Sequence, residues 1–235
     1  MFRKRKETQP DLPFHKRGLR WVRRIMIRGL VILVLIIALF SFVPTPRTIY
    51  MYQQSRIHGS IDRNWHPISA INDTVLLSVV AAEDANFCRH WGFDTEAIRA
   101  AIRSGANRGA STITQQVVKN QFLWHGRSWV RKAFEAMLTP LVELLWTKRR
   151  ILEVYLNIAE FDHAVFGIEA AAFHYFRTEP EKLTLDQAAR LATILPNPVE
   201  RNAADLSARH LARVEQIKDG ARTIAKDDRS ACFLD

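Results

Sequence analysis

Three short stretches of this chain hold acids and bases at positions that folding alone does not ask for. In TVLLSVVAAEDANF, Leu76, Val79 or Val80, Glu83 and Phe87 recur on one helical face. A carboxylate on an apolar stripe is costly to the fold. Burial there raises its pKa and suits it to act as a general base or acid near neutral pH. The plainer reading is a structural pair with a buried base, and spacing alone leaves both open. In GASTITQQVVKN, Ser111 and Thr112 open a helical pattern, with Gln115 at capping-box distance from Thr112. Backbone N–H groups at such a start attract anions. Gln116, Lys119 and Asn120 follow along the pattern and Arg127 lies beyond it, so the stretch reads as a site for a phosphate-bearing ligand, or else as a solvated basic face. In RKAFEA, Arg131, Lys132 and Glu135 stand together. Arg131 and Glu135 at i,i+4 make either a simple surface pair or a second carboxylate facing the same cleft as Glu83, kept ionised by cations. Two carboxylates with divided roles are the pattern of glycosidic-bond chemistry.

The charge distribution narrows the partners. The chain has 235 residues and a formal net charge of +10, with 48% hydrophobic residues, which is globular rather than disordered. Residues 1–28 hold ten Lys or Arg and two acids, so most of the excess sits in that segment. Between 99 and 150 there are ten bases and two acids, a second basic band that acids elsewhere cancel. Two Cys exclude a disulfide framework and a four-Cys zinc site, and the eight His show no metal-ligand spacing. Cys88, one turn from Glu83 with no activating partner in its pattern, reads as a buried thiol rather than a nucleophile; a disulfide with Cys232 is open in an oxidising compartment, though nothing in the sequence places the two together.

The basic start is followed by GLVILVLIIALFSFVPTP, positions 29–46, without a charge. As a helix that run reaches about 27 Å, close to a bilayer's hydrocarbon thickness. With Ile25 to Ile27 added and Arg28 snorkelling, it reads as one transmembrane helix over 25–46. A cleaved signal peptide fits less well, since no A-x-A site follows. Bases before the span put the N-terminus, residues 1–24, in the cytoplasm and the bulk of the chain on the far side. That orientation removes the nucleic-acid reading that a pI near 10 invites.

Residues 47–72 are mixed and polar and read as a stalk leading into the domain. From 73 to 235 the periodicity is helical almost throughout, with cap spacing at Thr112/Gln115 and Thr184/Gln187, a long run interrupted at Pro140, and hardly any strand-like alternation. The expectation is an all-α domain with long loops. Trp124, Trp129 and Trp146 read as core or membrane-interface residues.

In order, EDANFCRHWGFD, GASTITQQVVKNQFL, RKAFEAMLTPLVE, KRRILEVYLNIAEF with GIEAAA, and LTLDQAARLATILPNP resemble the motifs of the peptidoglycan glycosyltransferases of family 51, from about 75 to 198. One anchor and no room for a transpeptidase domain point to the monofunctional branch. The resemblance implies a lysozyme-like fold with a smaller, partly apolar jaw against the bilayer. The donor would be a growing glycan strand on undecaprenyl pyrophosphate and the acceptor lipid II. Glu83 matches the family's base for the acceptor 4-hydroxyl, which attacks with inversion to give a β-1,4 link. Glu135 matches the second glutamate, near the leaving pyrophosphate. Lys119 and Arg127 match its pyrophosphate-binding cations, and Ser111, Thr112, Gln115, Gln116, Asn120 and Lys132 fall among its binding-cleft polar positions. No cofactor is required by the sequence; a divalent cation, Mg or Mn, is allowed at the pyrophosphate. Also implied are location in the bacterial inner membrane with a periplasmic domain, inhibition by moenomycin, and other wall-synthesis proteins as partners.

Two departures stand out. The turn before GIEAAA holds Asp162, His163 and Ala164 where the family usually has Gly; a positive φ there would strain a side chain, and Asp162 is the residue expected to tolerate it. Phe134 replaces a Lys common before Glu135. A lytic muramidase of the same fold and a non-catalytic wall scaffold are the competing readings; the basic band argues against the first, since a neutral glycan offers no diphosphate.

Overall fold

The structure is a computed structural model and describes residues 14–105, 109–126 and 128–234. The described chain is mostly helical: α1 Phe14–Phe40, α2 Ile49–His58, α3 Asp73–Glu83, α4 Thr95–Arg103, α5 Ile113–Phe122, α6 Trp129–Leu145, α7 Lys148–Ile158, α8 Ile168–Phe176, α9 Leu185–Ile194, α10 Ala208–Lys226 and α11 Ala231–Leu234. Two short antiparallel strands, β1 Glu160–Asp162 and β2 Val165–Phe166, form a hairpin between α7 and α8.

α7 is the centre. From Ile151 to Ile158 only Glu153 escapes burial. Asn157, wholly buried in this helix, exchanges hydrogen bonds with the backbone of His66 in both directions, at 2.7 and 2.9 Å. α5 packs on α6 and α7, while α3, α9 and α10 form the other side of the core. α3 buries Val75, Leu76, Val79 and Val80, each worth about 1.5–3 kcal/mol relative to exposure. Its N-terminus is capped by Asn72, which accepts from Thr74 N at 3.0 Å. The cap spacings at Thr112/Gln115 and Thr184/Gln187 both form reciprocal capping boxes.

The amino-terminal helix differs in its bounds from the span expected over 25–46. Among the described residues no helix is long and apolar enough to cross a membrane. α1 stops at Phe40 rather than running to 46, so only 29–40 of the uncharged run is helical, about 18 Å, and Arg23, Arg24 and Arg28 interrupt the part before it. Its C-terminal carbonyls are taken up by the domain: Trp146 Nε1 donates to Ile37 O at 2.7 Å and Arg150 Nε to Phe40 O at 3.0 Å. Residues 47–72, read as a stalk leading into the domain, pack on it. They carry α2, whose Met51 is fully buried and whose Tyr50 ring stacks on His125 with centroids 3.7 Å apart.

Two further differences concern single residues. Cys88 is not a free thiol but is joined to Cys232, 144 residues away, with Cα atoms 5.7 Å apart. In the β-hairpin the left-handed position is taken by Ala164, at φ 61°, and not by Asp162. Ala164 O accepts from Asp62 N at 2.9 Å, and this cross-link to the preceding segment holds the turn in place.

Candidate functional site

Glu83 is the last residue of α3, where the chain leaves the core. The turn after it is pinned by Asp84: Oδ2 accepts from Ile113 N, at the start of α5, at 3.0 Å, and Oδ1 pairs with His90 Nε2 at 2.8 Å. Asn86 Nδ2 donates to Asp94, which caps α4. Gly92 closes this loop at φ 83°, where a Cβ would lie 2.5 Å from Thr139 Cγ2 on α6, so both conformation and space demand glycine.

Glu83 sits in the wall of a cavity of about 490 Å³ that is also lined by Ser111, Thr112 and Arg213. Its Oε2 accepts from Gln116 Nε2 at 2.7 Å. Gln116 in turn accepts the buried Tyr155 hydroxyl on Oε1 at 3.4 Å, which orients the amide. Burial pushes the Glu83 carboxyl up; the Gln116 hydrogen bond and the charges of Arg213 and Lys119 oppose it, while the charge of Asp84 adds to it. A carboxyl held this way takes up and releases a proton closer to neutrality than a surface glutamate does.

On the other side of that hydrogen bond lies a second cavity, of about 190 Å³, lined by Gln116, Lys119, Asn120, Tyr155, Tyr50, His125 and Glu160 among others. Burial lowers the pKa of Lys119; Glu135 and Glu83 push it back up, and Arg131 and Lys132 push it down. Lys119 thus feels both carboxylates. His125, desolvated and close to Lys119 and Arg131, is lowered to about 4 and is uncharged at neutral pH. Tyr50 donates to Glu160 Oε2 at 2.7 Å and is raised by burial and by that carboxylate.

The sequence candidates separate into groups. Glu83, Ser111 and Thr112 share the larger cavity, and Gln116, Lys119 and Asn120 share the smaller. Gln115 is spent on the helix cap, where its buried Oε1 accepts from Thr112 N at 3.1 Å. Thr112 likewise donates to Gly92 O at 2.7 Å and accepts from Gln115 N. Glu135 lines neither cavity. It is 2% exposed, with Arg131 on Oε2 at 3.0 Å and Lys132 on Oε1, so the i,i+4 pair of the simple reading does form, but buried. Arg131 and Lys132 face a separate hollow beside Ser128 and Trp129. Arg127 lies outside the described residues. Among the described residues no cluster of three or more His, Cys, Asp or Glu could hold a metal ion.

Four participants escaped the sequence reading: Tyr155, Tyr50, His125 and Arg213. Arg213 comes from α10, 130 positions downstream of Glu83, and donates to Ala82 O at 3.2 Å. No local pattern announces a contact at that separation. Tyr155 did carry a signal, a hydroxyl on the buried face of its helix, where a partner is obligatory.

Comparison with known proteins places this geometry. The transglycosylase family model matches residues 51–222. A biosynthetic peptidoglycan transglycosylase of Jannaschia sp. (strain CCS1) is 54% identical over 215 residues, covering 91% of this chain and 90% of that protein. Proteins of the same name from Pseudomonas savastanoi pv. phaseolicola and Pseudomonas syringae pv. syringae are 46% and 45% identical, each over 83% of this chain and 87% of their own length. With the match running through both cavities and the helices that build them, the chain belongs to the transglycosylase family and is a peptidoglycan glycosyltransferase.

Proposed function

We propose that the chain polymerises glycan strands by transferring a strand from its undecaprenyl pyrophosphate to the 4-hydroxyl of lipid II, with Glu83 as the base. The observation that carries this reading is the Glu83–Gln116 hydrogen bond between the two cavities. The base stands on the side of Ser111 and Arg213, and the desolvated Lys119 on the other. The acceptor hydroxyl loses its proton to Glu83 as it attacks, and the pyrophosphate departs with its charge stabilised by Lys119 and by the basic band. Desolvation strengthens that attraction relative to water. Glu135 holds Arg131 and Lys132 in place and keeps the local field from becoming purely cationic. Both Glu135 oxygens are taken by these cations.

α1 anchors the domain at the inner membrane, its N-terminus in the cytoplasm. The support is its uncovered apolar surface: Leu30, Ile32, Leu35 and Leu39 are each more than half exposed, as are Trp129, Met137 and Leu144 of the adjoining α6. Arg28 snorkels to the interface. Confinement to the bilayer raises the effective concentration of a lipid-linked substrate. The test is incubation of the detergent-solubilised protein with labelled lipid II. Strands that vanish with moenomycin support the reading; clearing of purified cell walls with no strands formed would make the protein a muramidase.

A further inference from the structure

The family match ends at residue 222, but the structure continues and doubles back onto the turn that carries Glu83. Arg229 Nη1 donates to Ala85 O at 3.3 Å, two residues after Glu83. From α10, Arg213 Nη2 donates to Ala82 O, one residue before it. Phe233 is fully buried with its ring 6.4 Å from that of Phe87, and its carbonyl accepts from Arg149 Nη1 at 2.6 Å. Lys148 sits over the Phe87 ring at 4.4 Å. Between Arg229 and Phe233 comes Cys232, bonded to Cys88. The carbonyl before the base is therefore held by Arg213 of α10 and the one two residues after it by Arg229 of the carboxy-terminal arm, whose end is covalently fastened five residues past the base.

We propose that residues 227–234 are a positioning strap for Glu83, fastened by the Cys88–Cys232 disulfide, so that the rate of glycan polymerisation depends on that bond being oxidised. The proposal rests on the reading of Glu83 as base. α11 is four residues long and cannot persist on its own helical propensity. Its hold on the domain is one buried ring, a few hydrogen bonds and the cross-link. When a dithiol reductant exchanges with the disulfide, two thiols form at Cys88 and Cys232, and the reductant takes their place as a disulfide, giving up two electrons and two protons. The strap then frays, Arg229 leaves Ala85 O, and the backbone around Glu83 gains freedom that an aligned base does not tolerate. In an oxidising compartment the bond persists.

The experiment uses the full-length, detergent-solubilised enzyme with lipid II as probe, oxidised and then reduced with dithiothreitol, with free thiols titrated and helix content followed by circular dichroism. The expected result is two titrated thiols, unchanged helix content, kcat lowered about tenfold or more with KM unchanged, and recovery on reoxidation. Reduced enzyme with an undiminished kcat would overturn the proposal. If reduction collapses the helix content, Arg229→Ala with the disulfide intact decides: kcat falls with KM unchanged, or the strap has no positioning role. Absence of polymer from the oxidised wild type would instead overturn the functional reading on which the strap depends.

Discussion

Gln116 donates its side-chain amide to Oε2 of Glu83 at 2.7 Å, and its own carbonyl oxygen is held by Tyr155. The amide therefore favours the charged form of Glu83 against the burial that disfavours it. Gln116→Leu removes the opposing influence and leaves the pKa of Glu83 higher. The acid limb of the kcat/KM profile for lipid II moves to higher pH, and the rate at neutral pH falls about tenfold, the scale of one charge-assisted hydrogen bond. A mutant profile that overlays the wild type would remove Gln116 from the site.

The same burial has a consequence for stability. Because the folded state raises the Glu83 pKa above the value in the unfolded chain, the fold bears no penalty at pH below the ordinary glutamate range, where both states are protonated. As pH rises from that range through the raised folded pKa, the unfolded state ionises first and stability is lost. Glu83→Gln carries no such group. Its melting temperature should match the wild type near pH 4 and exceed it at pH 8, in thermal unfolding followed by circular dichroism. Identical differences at both pH values would contradict a raised pKa.

Lys119 is desolvated and feels both Glu83 and Glu135. Lys119→Ala weakens the binding of a lipid pyrophosphate about tenfold to a hundredfold, the loss of one charged hydrogen bond in a protected site. It appears as a rise in KM and in the Kd measured by titration calorimetry. Unchanged affinity would move the pyrophosphate elsewhere.

Ala164 bears a left-handed conformation at φ 61°. Ala164→Gly relieves it and stabilises the domain by about 1 kcal/mol. Gly92→Ala does the opposite, since it adds a Cβ 2.5 Å from Thr139 Cγ2 at φ 83°, and costs about 2–4 kcal/mol. Denaturant midpoints of the two variants check both signs.

These positions show where the sequence was legible. The helices of the core, the capping boxes at Thr112 and Thr184 and the place of Glu83 at the end of an apolar helix are encoded within a few residues, and periodicity reveals them. Legibility failed where the deciding partner lies far along the chain. Arg150 and Trp146 take up the carbonyls at the end of α1, a fact no count of uncharged residues contains. Tyr50 looks like part of a polar stalk until His125 supplies the ring it stacks on. Gln115 and Gln116 are adjacent and alike in chemistry, yet one is consumed by the cap and the other meets Glu83, because successive helical residues point about 100° apart. Cys88 and Cys232 each look solitary at a separation of 144 residues.

The central claim is that Glu83 removes the proton from the acceptor hydroxyl. The direct measurement is the polymerisation rate of Glu83→Gln with labelled lipid II at neutral pH, beside its affinity for a lipid pyrophosphate. The account predicts a rate lower by at least about a hundredfold, the scale of a positioned general base, with affinity unchanged within about twofold. A variant that polymerises at a rate near the wild type while folded would contradict it.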